Sequence, residues 1–254
     1  MAVIDNITVD PLFDGELYCH QSQNGYRFTI DAVLLAHFVA IPKASKVLEL
    51  GAGNGVIPLI LAYRNPTLHI TGLELQSTLY TLFEHNIAAN SMQEQITALQ
   101  GDLRAIRALV SAGCFDYVLA NPPYRKLTSG RTNVGTEQTL ARHETSAKLS
   151  DVLQAVRYAL RVGGRAAFVY PAGRTAALLS SLKKERLEPK RMQMVYSYPD
   201  SAGKLVLVEA VKDGGEELTI LPPFYIYQAA GGPYTVTMQA LFAGNKNRKV
   251  HPVD

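Results

Sequence analysis

The sequence has no tryptophan and only two cysteines, Cys19 and Cys114. Two isolated thiols offer neither a disulfide framework nor metal-ligand spacing, and they suit a reducing compartment. Strong charge of one sign is also missing: 25 Lys and Arg stand against 22 Asp and Glu, a net +3. So mild an excess permits a polyanionic partner without demanding one. No apolar run approaches the roughly 20 residues a helix needs to cross a bilayer. The opening residues, MAVIDNITVDPLFDGELYCH, place acids early with no basic head before an apolar stretch, unlike a secretory signal. There is no internal repeat. The expectation is a cytoplasmic protein with no membrane segment and no metal. What the chain has in quantity is apolar residues, 47% of 254, enough for one large core.

Those residues are arranged in alternating short runs and helical patterns. KVLELG (46–51), LHITGLEL (68–75), QITALQGD (95–102), FDYVLAN (115–121) and RAAFVYP (165–171) read as strands. Between them, 55–64, 77–90, 103–113, 149–164 and 172–187 read as helices, with Gly113 closing the third and Ser150 capping the fourth before a Gly-Gly stop. Such alternation predicts a mostly parallel sheet with helices on both faces. Near the end, 190–199 and 204–212 have only a short polar link and predict an antiparallel hairpin at the sheet edge. The expected architecture is a Rossmann-like α/β fold with a seven-stranded, mostly parallel sheet. It divides into an N-terminal capping segment (1–45), a core (46–212) and a weaker β-like appendage with a tail (213–254). The long aperiodic stretch Arg125–Lys148 is the length of loop that serves function or disorder.

The first core strand runs into LELGAGNG. Gly51, Gly53 and Gly55 allow positive φ and close approach of a ligand to the backbone. A dinucleotide fingerprint would read G-x-G-x-x-G. Here Glu49 lies inside the strand end, and a carboxylate there would repel a pyrophosphate. It suits a cofactor with a cationic amine and no phosphate, such as S-adenosylmethionine. Glu74 ends the next strand, 25 residues after Glu49, the distance of a ribose-binding acid. Asp102 ends the third strand and Asn121 the fourth, on the edge where open α/β sheets bind ligands. Each acid taken singly also reads as a solvated loop residue, and Asp102 as a helix cap.

The fourth strand stops on Asn121-Pro122-Pro123-Tyr124. An exocyclic amine conjugated to a π system is a poor nucleophile. Two acceptors aimed at its N–H groups and a flat surface would activate and hold it. The Asn121 side-chain oxygen and the Pro122 carbonyl supply the acceptors, the prolines hold that carbonyl rigid, and Tyr124 supplies the stacking face. The plain alternative is a rigid turn.

The NPPY corner after such a glycine turn resembles S-adenosylmethionine-dependent methyltransferases acting on planar amines, among them DNA and RNA adenine-N6 and release-factor glutamine-N5 enzymes. QNGYRFTIDAVLLAHFV (23–39), GDLR, FVYPA, LEPKRMQMVY and LVLVEAVK are similar to the bacterial tRNA adenine-N6 methyltransferase family that modifies position 37 of valine tRNA, from about residue 15 to 242. The resemblance implies a SAM site made by Phe28, Thr29, Asp31, Glu49, Gly51, Gly53, Asn54, Gly55, Glu74, Leu75, Asp102, Leu103 and Asn121. It places Phe28, Thr29 and Asp31 over the methionine end; the residues alone allow Asp31 as a helix cap and Phe28 as its staple. Glutamine-modifying relatives carry a separate N-terminal helical domain, for which about 45 residues leave no room.

Charge placement favours RNA. Arg125, Lys126, Arg131, Arg142 and Lys148 lie beyond the corner, against Glu137 and Glu144. A second cluster, Lys183, Lys184, Arg186, Lys190 and Arg191, reads as a phosphate footprint or as a solvated face. The role of Arg142-His143-Glu144 stays open between RNA contact and a loop-ordering ion pair. The expected partner is RNA, most specifically tRNA, with ribosomal RNA, DNA or a protein glutamine as other substrates and a non-catalytic RNA-binding protein as the remaining class.

Overall fold

A computed structural model describes residues 7–23, 25, 27–122 and 147–244. The chain opens with an antiparallel hairpin, β1 (Ile7–Leu12) and β2 (Leu17–Ser22), and helix α1 (Ile30–Phe38). The core then alternates: β3 (Lys46–Leu50), α2 (Val56–Arg64), β4 (His69–Glu74), α3 (Ser77–Ala89), β5 (Ile96–Gln100), α4 (Ile106–Leu109) and β6 (Phe115–Ala120). After the undescribed stretch come α5 (Leu149–Ala159), β7 (Leu160–Pro171), α6 (Thr175–Lys184), β8 (Leu187–Tyr196) and β9 (Gly203–Lys212). The two-residue strands β10 (Thr219–Ile220) and β11 (Phe224–Tyr225) and the short α7 (Val236–Gln239) follow.

The main sheet has the order β10-β8-β9-β7-β6-β3-β4-β5, with β11 also paired to β8. Only β9 runs against its neighbours, so the β8–β9 hairpin is the antiparallel edge the sequence predicts. The period-2 pattern of each strand sorts side chains to two layers. Val47, Ile70, Tyr117, Leu119, Ala167 and Val169 face α1, α2 and α3. Leu48, Leu50, Val118, Ala120, Ala166 and Phe168 face α4, α5 and α6. The chain leaves β3 for β4 and β5, then returns to place β6 on the other side of β3, which makes β3/β6 the switch point.

Four local expectations change. The 103–113 helix is a 3-10 turn, Leu103–Ala105, followed by the four-residue α4, because Val110 is already extended. Helix α5 ends at Ala159, not at the Gly-Gly pair: Gly163 and Gly164 lie inside β7, where its pairing with β6 shifts register. Its last carbonyls, on Arg157 and Leu160, instead accept from Lys212 Nζ at 2.7 and 2.6 Å. Ser150 is inside that helix, whose start is held by the Asp151 carboxylate accepting from the Lys148 N–H at 2.9 Å. The 172–187 segment is a 3-10 turn followed by Thr175–Lys184.

The N-terminal hairpin is fastened by side chains rather than by strand pairing. Asn90 accepts from the Tyr18 N–H at 2.9 Å and donates to the Tyr18 carbonyl at 2.7 Å. Asn86 does the same to His20, at 2.7 and 3.0 Å. Four residues of helix rise about 6 Å and two residues of strand about 6.7 Å, so asparagines four apart match alternate residues of β2.

Candidate active site

β3 and β6 leave the sheet side by side. Leu50 pairs with Ala120, so Gly51 and Asn121 emerge at the same level on neighbouring strands, about 4.8 Å apart across the sheet. β4 flanks β3 on the other side, with Glu74 as its last residue, and Asp102 follows the end of β5. The four polar groups read from the sequence therefore share one edge. The loop between β3 and α2 bends through Gly51, Gly53 and Gly55 at φ +77°, +58° and +84°. The Gly51 and Ala52 N–H groups both donate to the Leu73 carbonyl, at 2.8 and 2.9 Å, and tie the loop to β4.

The glycines have different reasons. Among the described residues a Cβ at Gly51 would meet nothing within 4 Å, so they leave this turn open. A Cβ at Gly55 would lie 1.9 Å from the Phe83 ring, and one at Gly72 of β4 2.4 Å from the same ring. Phe83 of α3 therefore fills the gap that both glycines leave.

Glu49 is only 2% exposed, and its Oε2 finds no hydrogen-bond partner among the described residues. Burial first, then the neighbouring Glu74, push its carboxyl well above the usual carboxylate range. Glu74 is 5% exposed and better served: it accepts from the Gly53 N–H and the Gln76 N–H, each at 2.8 Å. An orphaned buried carboxyl beside a second acid calls for a cationic, hydrogen-bond-donating group. The ammonium and ribose hydroxyls of S-adenosylmethionine fit that donor requirement. Leu75, 38% exposed beside Glu74, offers an apolar surface at the same edge.

Other expected site residues stand as follows. Asp102 accepts from the Arg104 backbone N–H at 2.8 Å and is gripped by the Arg104 side chain, which above all holds its carboxyl below the usual range. It is thus a cap and still half-exposed beside the site. Leu103 opens the 3-10 turn after it. Asn54 is wholly buried, its side chain turned to Cys19 Sγ at 3.3 Å and the His20 carbonyl, so only its backbone borders the loop. Thr29, not Asp31, is the N-cap residue of α1; Asp31 lies in its first turn. The Phe28 N–H donates to the buried Gln21 side chain at 2.8 Å, which anchors the approach to α1 on the hairpin. Asn121 is half-buried and Pro122 buried. Pro123, Tyr124, Arg125, Lys126, Arg131 and Arg142, and the Arg142-His143-Glu144 run, lie outside the described residues.

The second basic cluster is largely tied to the protein's own acids and carbonyls. Lys183 pairs with Glu188 and Glu216, and Arg186 with Asp213. Lys190 donates to the Gly215 and Glu216 carbonyls, and Arg191 to the Phe38 carbonyl at 2.6 Å. These side chains clasp the protein's own turns and α1, leaving Lys184 as the member without such a tie among the described residues.

Asn86 escaped the sequence reading. Besides His20, it donates to the Asn54 carbonyl at 2.9 Å, joining hairpin, α3 and glycine loop through one amide. Asn86, an asparagine inside a helix where that residue is disfavoured, with Asn90 four positions on at the helix end, was the available signal.

A protein-family model described as "Methyltransferase small domain" matches residues 29–159. The chain is 29% identical over 165 residues to the tRNA1(Val) (adenine(37)-N6)-methyltransferase of Shewanella putrefaciens, 65% of this chain and 68% of that one. It is 26% identical over 232 residues to the protein of the same name from Shewanella loihica, 89% of this chain and 94% of that one. Among solved structures, a "predicted O-methyltransferase" from Agrobacterium tumefaciens is similar with a TM-score of 0.69 at 20% identity, covering 84% of this chain and 96% of that one. A putative transferase from Pyrococcus horikoshii gives 0.60 at 14%, covering 83% and 73%. At such identities the structural likeness is one of fold.

Proposed function

The chain belongs to the methyltransferase small domain family, and from that premise we propose that it methylates the exocyclic N6 of adenine in RNA, at adenine-37 of valine tRNA, with S-adenosylmethionine as donor. The observation that carries this reading is the pairing of Leu50 with Ala120, which sets the acidic, open glycine turn beside Asn121-Pro122. The names of the curated relatives support adenine and tRNA as the finer substrate.

When bound, the donor supplies an electrophilic methyl group. The protein's part is to bind and to position. Glu49 and Glu74 hold the cationic and hydroxyl-bearing portions of the donor. The Asn121 side-chain oxygen and the Pro122 carbonyl accept from the two N–H groups of the target amine, fix its plane and keep electron density on the nitrogen. Tyr124 stacks on the base. Most of the acceleration then comes from orientation. The base must be splayed from its loop to reach the corner.

The direct test incubates the protein with S-adenosylmethionine and undermodified bacterial tRNA, followed by nucleoside mass spectrometry. N6-methyladenosine in the tRNA is expected; its absence from every tRNA while the donor demonstrably binds would overturn the reading. Parallel arms with ribosomal RNA, DNA and a glutamine-bearing release-factor peptide identify another planar amine if one is used. Asn121→Ala should lower the rate of transfer by about 10³-fold or more, the scale of losing a group that acts in the transition state, and leave donor affinity within a few-fold.

A further inference from the structure

The C-terminal appendage takes no part in the site so far described. Its strand β11 extends β8 in parallel, and Tyr225 pairs directly with Tyr196. The rings of these two residues lie 5.5 Å apart and tilted by 37°. Both are half-buried, and neither of the two apolar core clusters includes them. The other appendage aromatics are different: Tyr227 stacks on Tyr234 and Tyr234 on Phe242, and all three rest against the core on the α1 side. Core filling therefore accounts for those rings and leaves Tyr196 and Tyr225 without that explanation.

Strand direction fixes where the pair sits. β7 runs parallel to β6, so its end at Pro171 is on the edge where β6 delivers Asn121. Leu205 of β9 pairs with Pro171, and Tyr196 of β8 pairs with Gly203 at the start of β9. The tyrosine pair is therefore on the same edge as the candidate active site, with Tyr196 three strands along from β6, roughly 14 Å across the sheet, and Tyr225 one strand further. The exposed Lys204 follows Gly203 on the strand between them.

We propose that Tyr196 and Tyr225 form a base-stacking platform for unstacked nucleotides that flank the target base, with Lys204 beside the connecting phosphates. The proposal rests on the RNA reading above and names how that substrate is held. A nucleotide inserted at Asn121 is necessarily pulled out of its own stack, and so are its neighbours. They lose stacking free energy unless another flat ring replaces it. Paired tyrosines on the same rim meet that need at a distance a few nucleotides of single strand can cover. A lysine between the rings and the corner matches the charge of the strand that would cross there.

The test uses the full chain and undermodified tRNA. Tyr196→Leu and Tyr225→Leu should each raise KM for tRNA by about tenfold, the effect of losing one base–aromatic stack. The rate at saturating tRNA and the affinity for S-adenosylmethionine should stay unchanged, which a misfolded variant would not manage. Tyr196→Phe and Tyr225→Phe keep a ring and should stay within twofold of the parent. A 2-aminopurine placed beside the target adenine should be quenched on binding to the parent and the Phe variants, and much less so by the Leu variants. If the parent binds and methylates tRNA and the Leu variants do so with unaltered KM and quenching, the platform is wrong and the RNA reading stands. If the parent neither binds nor methylates any RNA, both are overturned.

Discussion

Glu49 is the residue whose chemistry is least explained by the protein alone. Its folded-state carboxyl is held above its unfolded value by burial and by Glu74. The folded chain therefore keeps a proton that the unfolded chain releases, so this group's contribution to stability is full below the ordinary carboxyl value of 4.5 and is lost as pH rises through the raised folded value. Glu49→Gln should reduce that decline, seen as a melting temperature that falls less over the window where the parent falls. A cationic donor draws the carboxyl back to its ionised form. Binding of S-adenosylmethionine at mildly acidic pH should release a proton, read as a binding enthalpy that depends on the buffer's ionisation heat. In Glu49→Gln the release should vanish and Kd should rise about tenfold, on the scale of one charge-assisted hydrogen bond. Unchanged proton release would remove Glu49 from the cofactor site. Cys19 is shifted in the same direction without consequence at neutral pH: burial pushes its thiol up to about 12 and leaves it inert.

At the scale of elements, the contrast between Asn86 and Asn90 is the sharpest expectation. Both bracket a residue of β2, but Asn86 is wholly buried and also holds the Asn54 carbonyl, while Asn90 is half-exposed. Removing Asn86 leaves backbone groups dry and unpaired, whereas water can replace Asn90. Urea unfolding should show a loss of about 3 kcal/mol for Asn86→Ala and about 1 kcal/mol for Asn90→Ala. Equal effects would mean that the hairpin is not held by these bonds. The same scale shows what a sequence displays. Helices α2 and α3 and strands β3, β4 and β6 were legible because their apolar periods are long and agree with their caps and turns. The 103–113 segment misled because LRAIRALV has helical spacing but only one buried anchor among its first residues, Ile106. The Gly163-Gly164 pair looked like a helix stop and is a bulge, since Lys212, far along the chain, ends α5. The β1–β2 hairpin left little trace because its lateral partners are helix side chains. The site residues at strand ends were legible from their order; the engagement of Lys183, Arg186 and Arg191 was not, because it depends on turns brought close only by β8–β9 pairing.

For the whole molecule, one buried acid links strands that the sequence separates widely. Glu209 of β9 accepts from the Tyr117 hydroxyl of β6 and from Arg165 of β7 at 2.7 Å, and faces Arg191 of β8 at 3.7 Å. Arg191 in turn lies over the Phe38 ring at the end of α1 and donates to its carbonyl. Glu209→Ala strands a buried phenol and the mostly buried Arg191, while the half-exposed Arg165 can turn to water, and should lower unfolding free energy by about 3 kcal/mol. Donor affinity measured well below the melting temperature should stay near the parent's, since the network lies beneath the ligand edge rather than on it. A large change in affinity with little in stability would reverse that assignment.

Phe83 gives the glycine loop a dependence that reaches beyond the loop. Its ring occupies the space of the missing Cβ atoms at Gly55 and Gly72, so positions on three successive elements behave as one steric unit. A related chain with alanine at either glycine position must carry a much smaller side chain at position 83. Single steps from this sequence in that direction are closed, and across a lineage the three positions change in concert or stay as they are.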